Sequence, residues 1–149
     1  MTSYKRIPKL ELARSQLEVA LRFYMLEEEY PAVITLAGAA EEVLGKIAEK
    51  KGFEPALKRN LRELLAAYKH VWGEEAQESD FAQLHNKARN ELKHLCSGNE
   101  MNLDYEKEAA ELLSRALENF LLCTGSPHPS QYIFTDKMLA NWEGKQDAV

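Results

Sequence analysis

Five apolar stripes at helical spacing, most of them bounded by proline or glycine, constrain the fold of this 149-residue chain most strongly. In each stripe apolar residues recur every three or four positions, the spacing that gives an α-helix one buried face. Proline suits the first turn of a helix, and glycine commonly ends one. Strand-like alternation is confined to residues 132–134. The pattern therefore predicts an all-α fold, a helical bundle of four to five main helices.

The length of the chain predicts a single domain over residues 1–149. We expect the bundle to occupy residues 1–125, followed by a C-terminal extension over 126–149 in which residues 136–142 form a short helix. The connections between the predicted helices are short, which makes neighbouring helices antiparallel. The five predicted helices run from residue 8 or 9 to about 29, from 31 to 51, from 55 to 72, from 81 to 97, and from 104 to about 123.

Composition restricts the compartment and the kind of partner. The formal net charge of −5 argues against general coating of nucleic acid, but it leaves room for a local basic strip. Because the chain has neither a run of about 18 apolar residues nor a signal-peptide segment, we expect a cytoplasmic protein without membrane contact. Cys96 and Cys123 lie within apolar helical patterns, which favours buried thiols in a reducing compartment. No pattern indicates a metal site or a cofactor.

The segment 81–97 has two chemically different faces. At about 100° per residue, its apolar residues fall within an arc of roughly 80° that we expect to face the core. The apolar arc consists of Phe81, Leu84, Ala88, Leu92 and Leu95. The opposite side carries Asn86, Asn90, Lys93 and Ser97, with Arg89 and His94 on its two edges.

The polar side of this segment carries chemistry suited to a phosphodiester. Arginine can bind a phosphate through a forked pair of hydrogen bonds, and histidine transfers a proton near neutral pH. Lys87, Arg89 and Lys93 supply a local basic strip. The alternative interpretation is an ordinary polar surface helix with a basic bias. Because Arg89 and His94 lie off the apolar arc, replacing either with alanine is predicted to cost about 0.5 kcal/mol or less, against about 2–5 kcal/mol for Leu92→Ala.

Residues 89–94 read Arg-Asn-Glu-Leu-Lys-His, which resembles the Arg-polar-x-x-x-His signature of the HEPN superfamily. The resemblance implies a helical bundle that dimerises around this helix and, in many members, cleaves RNA without a metal. It implies that His94 is the general acid or base, that Arg89 stabilises charge at phosphorus, and that Asn90 positions the phosphate or His94. The predicted substrate-binding residues are Asn86, Lys87 and Lys93.

The sequence leaves three functions open. The first is an endoribonuclease of HEPN type, a cytoplasmic homodimer that uses the 2′-hydroxyl of single-stranded or looped RNA as its nucleophile. The second is a non-catalytic nucleotide- or RNA-binding module. The third is a dimerisation module of toxin–antitoxin type that an antitoxin-like partner protein silences. Cys96 stands where the toxin-type branch of the superfamily often has a tyrosine.

Two polar residues outside the motif carry separate expectations. Glu41 lies at the edge of the apolar face of the second predicted helix. It is either a solvated flank of that helix or a carboxylate that orients a basic group across a helix pair. His128 stands between Pro127 and Pro129, which predicts an exposed and inert side chain.

Overall fold

The computed structural model describes residues 5–94 and 99–146, and these residues form six α-helices. The helices are α1 Lys9–Met25, α2 Tyr30–Lys50, α3 Ala56–Trp72, α4 Glu78–His94, α5 Tyr105–Thr124 and α6 Gln131–Gln146. The described ranges contain no strand, so the all-α prediction is confirmed, but the helices number six rather than four or five. Across the same ranges, no helix combines the length and apolar character that a membrane span needs.

The hydrophobic core lies where α2 packs between α1 and α5. Its residues follow the predicted three-and-four spacing on each of the three helices. Burying a leucine or valine side chain stabilises a fold by about 1.5–3 kcal/mol, so these three helices supply most of the apolar stabilisation. The core includes Ala13, Leu17, Tyr24, Val33, Ala37, Leu44, Leu113, Ala116 and Phe120.

Local backbone geometry explains two helix boundaries. α1 ends at Met25, earlier than predicted, because Glu27 and Glu29 adopt left-handed φ angles of 57° and 51°. At the start of α5, where the sequence predicts a helix to begin, Asp104 acts as the N-cap, and its Oδ1 accepts a hydrogen bond from the backbone N–H of Lys107 at 3.1 Å. A side-chain oxygen in this position satisfies one of the free N–H groups of the first turn.

The C-terminal extension is more helical than predicted. Its helix α6 begins at Gln131 and carries apolar residues on several sides, so it has no single stripe for periodicity to detect. Within α6, all of which is described, the deeply buried residue is Phe134, at 2% exposure. The ring of Phe134 lies 5.2 Å from that of Tyr24, centroid to centroid. α6 therefore packs against the same core as the rest of the bundle.

The helices α3 and α4 form a peripheral pair beside this core. α4 contributes only Ala88, at 1% exposure, to the buried set of described residues. Leu84 is 64% exposed and Leu92 is 37% exposed, which contradicts the prediction that the apolar arc faces the core. Within the arc, Ala88 packs into the core, Phe81 is half-buried, and Leu84 and Leu92 are exposed. Three residues assigned to this helix lie outside the described residues: Leu95, Cys96 and Ser97.

Candidate functional site

Arg89 points towards α2 rather than into solvent, and its side chain is only 19% exposed. Its aliphatic stem lies directly over Gly38. A β-carbon at Gly38 would be 2.6 Å from Cδ and 2.9 Å from Cγ of Arg89, well inside the distance at which carbon atoms pack. Glycine in a helix interior costs roughly 0.5–1 kcal/mol relative to alanine. Here it provides the space that Arg89 occupies, so Arg89 packs against α2 although it lies off the apolar arc.

The guanidinium of Arg89 lies near two carboxylates of α2. Its Nη1 is 3.6 Å from Oε2 of Glu41 and 3.8 Å from Oε2 of Glu42. Glu41 is 4% exposed, and its Oε1 lies 3.7 Å from Nε of Arg115 on α5. Glu41 therefore bridges Arg89 and Arg115. Of the two interpretations that the sequence left open for Glu41, the orienting carboxylate is the arrangement present.

Burial dominates the electrostatics of this buried cluster, defined as Glu41, Arg89 and Arg115. Desolvation raises the pKa of Glu41, while the charges of Arg115 and Arg89 oppose that rise. Desolvation also lowers the pKa of Arg115, against the favourable charge of Glu41. Each charge is thus tolerated because of its partners, and removing one partner from a fully buried pair costs about 3–5 kcal/mol. The cluster fixes the position of Arg89 more firmly than a surface ion pair would.

The other predicted site residues are distributed along α4 with graded exposure. Asn86 is half-buried, and its Oδ1 has no hydrogen-bond partner within the described part of the chain. Asn90 is also half-buried, and its side chain interacts with another group of the protein. Lys87, Lys93 and His94 are exposed, and His94 is the last residue of the helix. The imidazole of His94 is accessible to solvent or to a bound molecule.

The spacing of Arg89 and His94 decides what one chain can do alone. Five residues along an α-helix correspond to about 7.5 Å of rise and to a rotation of roughly 140°. The two side chains therefore leave α4 in different directions, Arg89 towards α2 and His94 towards solvent. In a single chain, the guanidinium of Arg89 and the accessible imidazole of His94 therefore lie on different sides of the helix.

Sequence reasoning missed two polar residues, Arg115 of the buried cluster and His85 on α4. Burial, followed by the charge of Arg115, lowers the pKa of His85, so its imidazole is mainly neutral at pH 7. Arg115 is 3% exposed. Arg115 and Asn119 lie three and seven positions after Leu112, which is core spacing. That spacing was the available signal that α5 buries polar side chains.

His128 is buried at 4% exposure, so the prediction of an exposed side chain is wrong. Its Nδ1 accepts a hydrogen bond from the backbone N–H of Ser130 at 3.1 Å, and its ring packs edge-on against Phe120. Its Nε2 lies 3.6 Å from Oε1 of Glu18. Cys123 is buried, as predicted. These residues connect the loop before α6 to the core.

Within residues 5–94 and 99–146, no three His, Cys, Asp or Glu side chains come together as a metal-ligand set. Comparisons with known protein families, with curated proteins and with solved structures find no match for the chain. The likeness to the HEPN superfamily therefore depends on residues 89–94 and on the all-helical fold.

Proposed function

We propose that this protein is a metal-independent endoribonuclease of HEPN type, which acts as a cytoplasmic homodimer built around α4. The observation that carries the proposal is the fixed position of Arg89. Its stem occupies the space over Gly38, and its guanidinium pairs with the buried carboxylate of Glu41. Ordering an arginine side chain costs about 1.5–2 kcal/mol of rotamer entropy, which an ordinary surface arginine avoids. A guanidinium in a fixed position can bind a phosphate, and the exposed His94 on the same helix can transfer a proton when the phosphodiester is cleaved.

In the proposed reaction the ribose 2′-hydroxyl attacks the adjacent phosphorus, and the bond from phosphorus to the 5′-oxygen breaks. The products are a 2′,3′-cyclic phosphate and a 5′-hydroxyl. His94 takes the proton of the 2′-hydroxyl or supplies one to the leaving oxygen, a contribution of about 10²–10⁴ in rate. Arg89 stabilises the negative charge that accumulates on the phosphorus centre. One imidazole cannot serve both oxygens at once, so the second proton carrier is the His94 of a two-fold copy.

Exposed apolar side chains on α3 and α4 support a dimer in this region. Leu84 and Trp72 are 64% and 68% exposed, and Leu92 is 37% exposed. Tyr68 and Phe81 connect the two helices, with their ring centroids 5.8 Å apart. Apolar residues grouped in this way are typical of interaction surfaces, and closed two-fold dimers are the commonest soluble assembly. A second copy on this surface would cover these residues and bring two motifs together.

The charges near the motif fit RNA better in a dimer than in a single chain. Lys87, Lys93 and His94 are exposed on α4, whereas the whole chain carries a formal net charge of −5. Affinity for a nucleic acid depends on the number of phosphates that basic side chains neutralise. A two-fold axis near α4 doubles that number locally.

A second candidate function is a module that binds RNA or a nucleotide without cleaving it, or that dimerises under the control of an antitoxin-like protein. It is favoured by the two carboxylates within 4 Å of Arg89, those of Glu41 and Glu42. They offset the positive charge that a phosphate would otherwise meet. In this alternative Arg89 is a structural cation and His94 plays no part in proton transfer.

The two candidates are distinguished by incubating the purified protein with single-stranded RNA in the presence of a metal chelator. Wild-type protein should cleave and leave 2′,3′-cyclic phosphate ends, whereas His94→Ala and Arg89→Lys should lose about a hundredfold or more in rate. His70→Ala and Arg22→Ala are matched controls, because both side chains are exposed on other helices. The controls should retain full activity, and DNA of the same sequence should resist.

Cleavage that disappears with the chelator, or that persists in His94→Ala, would reject the proposed mechanism. RNA binding without cleavage, with similar affinity in wild type, Arg89→Lys and His94→Ala, would support the second candidate instead.

A further inference from the structure

A cleft of about 1,000 Å³ opens along α5, lined also by residues of α3, α4 and α6. Its volume lies at the upper end of the range typical of small-molecule sites, and its surface is mostly apolar. Neither Arg89 nor His94 lines it. The cleft is therefore separate from the proposed site of RNA cleavage, although Glu41 connects the two through Arg115.

Arg115 is the charged side chain buried in the wall of this cleft. Its side chain is 4% exposed, and its Nε and Nη2 atoms have no hydrogen-bond partner within the described residues. Glu41 is its ion-pair partner, but the 3.7 Å between Nε and Oε1 is too long for a hydrogen bond. A buried donor without an acceptor costs about 1–3 kcal/mol, more when it is charged, so Arg115 is poised to accept an anionic group.

The charge balance around Arg115 limits that group to a single negative charge. Glu41 is one carboxylate shared between Arg89 and Arg115, and Glu42, the second acid near Arg89, is exposed and hydrogen-bonded to Lys46. Counted by itself, the buried cluster has two guanidinium groups and one carboxylate, so its formal charge is +1, and Glu111 and Glu108 lie close enough to act on Arg115. The remaining charged residues of the cleft wall are three cations and four carboxylates, so they carry one net negative charge and oppose a polyanion. The ion pairs among them are Arg59–Glu118, Lys107–Glu111, and Lys145 with Asp104 and Glu106.

The opposite wall offers an apolar surface and one further donor. Ala110, Met138 and Trp142 line the cleft, and Trp142 is 61% exposed. The hydroxyl of Tyr24 is buried, and the side chains of Glu106 and Asn141 lie close enough to influence its protonation. Burial, followed by the charge of Glu106, raises the pKa of Tyr24 to about 12, so this hydroxyl remains a donor at neutral pH.

We propose that this cleft binds a small organic monoanion, a carboxylate carried on an apolar or aromatic body. The carboxylate lies against the guanidinium of Arg115, whose planar fork matches its two oxygens. The apolar body lies against Met138 and Trp142. This binding activity does not depend on RNA cleavage.

The test is calorimetric titration of the full-length protein with 3-phenylpropionate and with octanoate. Both acids should bind saturably, and 3-phenylpropionamide, the neutral counterpart of the first, should bind about tenfold more weakly. Arg115→Lys keeps the charge but loses the fork, and it should also weaken binding about tenfold. Trp142→Ala should weaken binding several-fold. Its matched control is Tyr132→Ala, which removes an exposed aromatic residue of the same helix outside the cleft and should leave affinity unchanged.

Arg115→Lys alters a buried ion cluster and could destabilise the fold. Trp142 is exposed, so Trp142→Ala tests the cleft without that complication. Absence of saturable binding by both acids would overturn the proposal. Equal affinity for the acid and its amide, tighter binding of ATP or inorganic phosphate, or equal losses in Trp142→Ala and Tyr132→Ala would overturn it as well.

Discussion

Arg89 crosses Gly38 so closely that α2 has no room for a methyl group at this position, since a β-carbon there would lie 2.6 Å from Cδ of Arg89. The small residues of α2 and the motif of α4 are therefore parts of one arrangement. Glu41, three residues after Gly38, pairs with the guanidinium of Arg89, with 3.6 Å between Oε2 and Nη1. The position of Arg89 depends on both residues.

Gly38→Ala should displace Arg89 and lower RNA cleavage at least tenfold. The gain in helix propensity, roughly 0.5–1 kcal/mol, should be cancelled by the contact with the stem of Arg89. Gly144→Ala in α6 is the matched control, because a β-carbon there meets no atom within 4 Å in the described structure. The control should be neutral or slightly stabilising and should leave activity unchanged. Thermal unfolding and the RNA cleavage assay measure both effects.

The double variant Gly38→Ala/Arg89→Ala tests whether the two residues are coupled. When Arg89 is alanine, the new methyl group has no arginine stem to collide with. Gly38→Ala should therefore become stabilising in this background. If the two free energies simply add, to within about 0.3–0.5 kcal/mol, the close contact does not determine where Arg89 lies.

Arg89→Ala should destabilise the fold by about 1–3 kcal/mol, which revises the smaller cost expected from the apolar arc. The reason is that Glu41 stays buried at 4% exposure with one cation fewer beside it. Lys93→Ala on the same helix is exposed and should change stability by no more than about 0.5 kcal/mol. Urea denaturation of the two variants makes the comparison, and equally small losses would argue against a structural pairing of Arg89 with Glu41.

Periodicity and capping residues predicted much of the fold. The bounds of α2 and α5 and the cap at Asp104 follow from apolar spacing, Pro31 and Gly125. The length of α6 did not, because a helix with apolar residues on several sides has no stripe. The burial of His128 did not either, since flanking prolines indicate a loop but not where that loop packs.

The candidate site shows a different limit of sequence reasoning. An apolar arc such as that of Leu84 and Leu92 indicates a buried surface. It does not indicate whether the same chain or a partner chain buries it. In the structure Leu84 and Leu92 are exposed, whereas Ala88 of the same arc and the stem of Arg89 both pack inward. A long side chain with an aliphatic stem can pack like an apolar one, and the sequence alone does not show that it does so over Gly38.

Leu84→Lys should shift the protein from dimer to monomer without loss of helix content. A lysine on an apolar interface must be desolvated in the dimer but stays in water in the monomer. Leu139→Lys is the control, since Leu139 is also an exposed leucine, 43% accessible, but lies on α6. Light scattering and circular dichroism report the two quantities. If both variants keep the mass of the wild type, the dimer contact lies elsewhere.

His128 should make stability depend on pH. Burial lowers the pKa of its imidazole, against the opposing charge of Glu18. The unfolded chain takes up this proton near pH 6.5 and the folded chain only at lower pH, so the free energy of unfolding falls as pH drops below about 6.5. His128→Asn keeps an acceptor for the N–H of Ser130 but does not titrate. The stability advantage of wild type over this variant should therefore shrink between about pH 7 and pH 5, and a constant difference would contradict a buried neutral histidine.

The central claim is that two copies of the motif, with Arg89 and His94 from each, form one cleavage site. It is tested most directly by following oligomeric state and specific RNase activity together along one dilution series, with a chelator present. Sedimentation should show a dimer at high concentration, and specific activity should fall in step with its dissociation into monomers. A protein that remains monomeric at every concentration and cleaves RNA with unchanged specific activity would contradict the shared site.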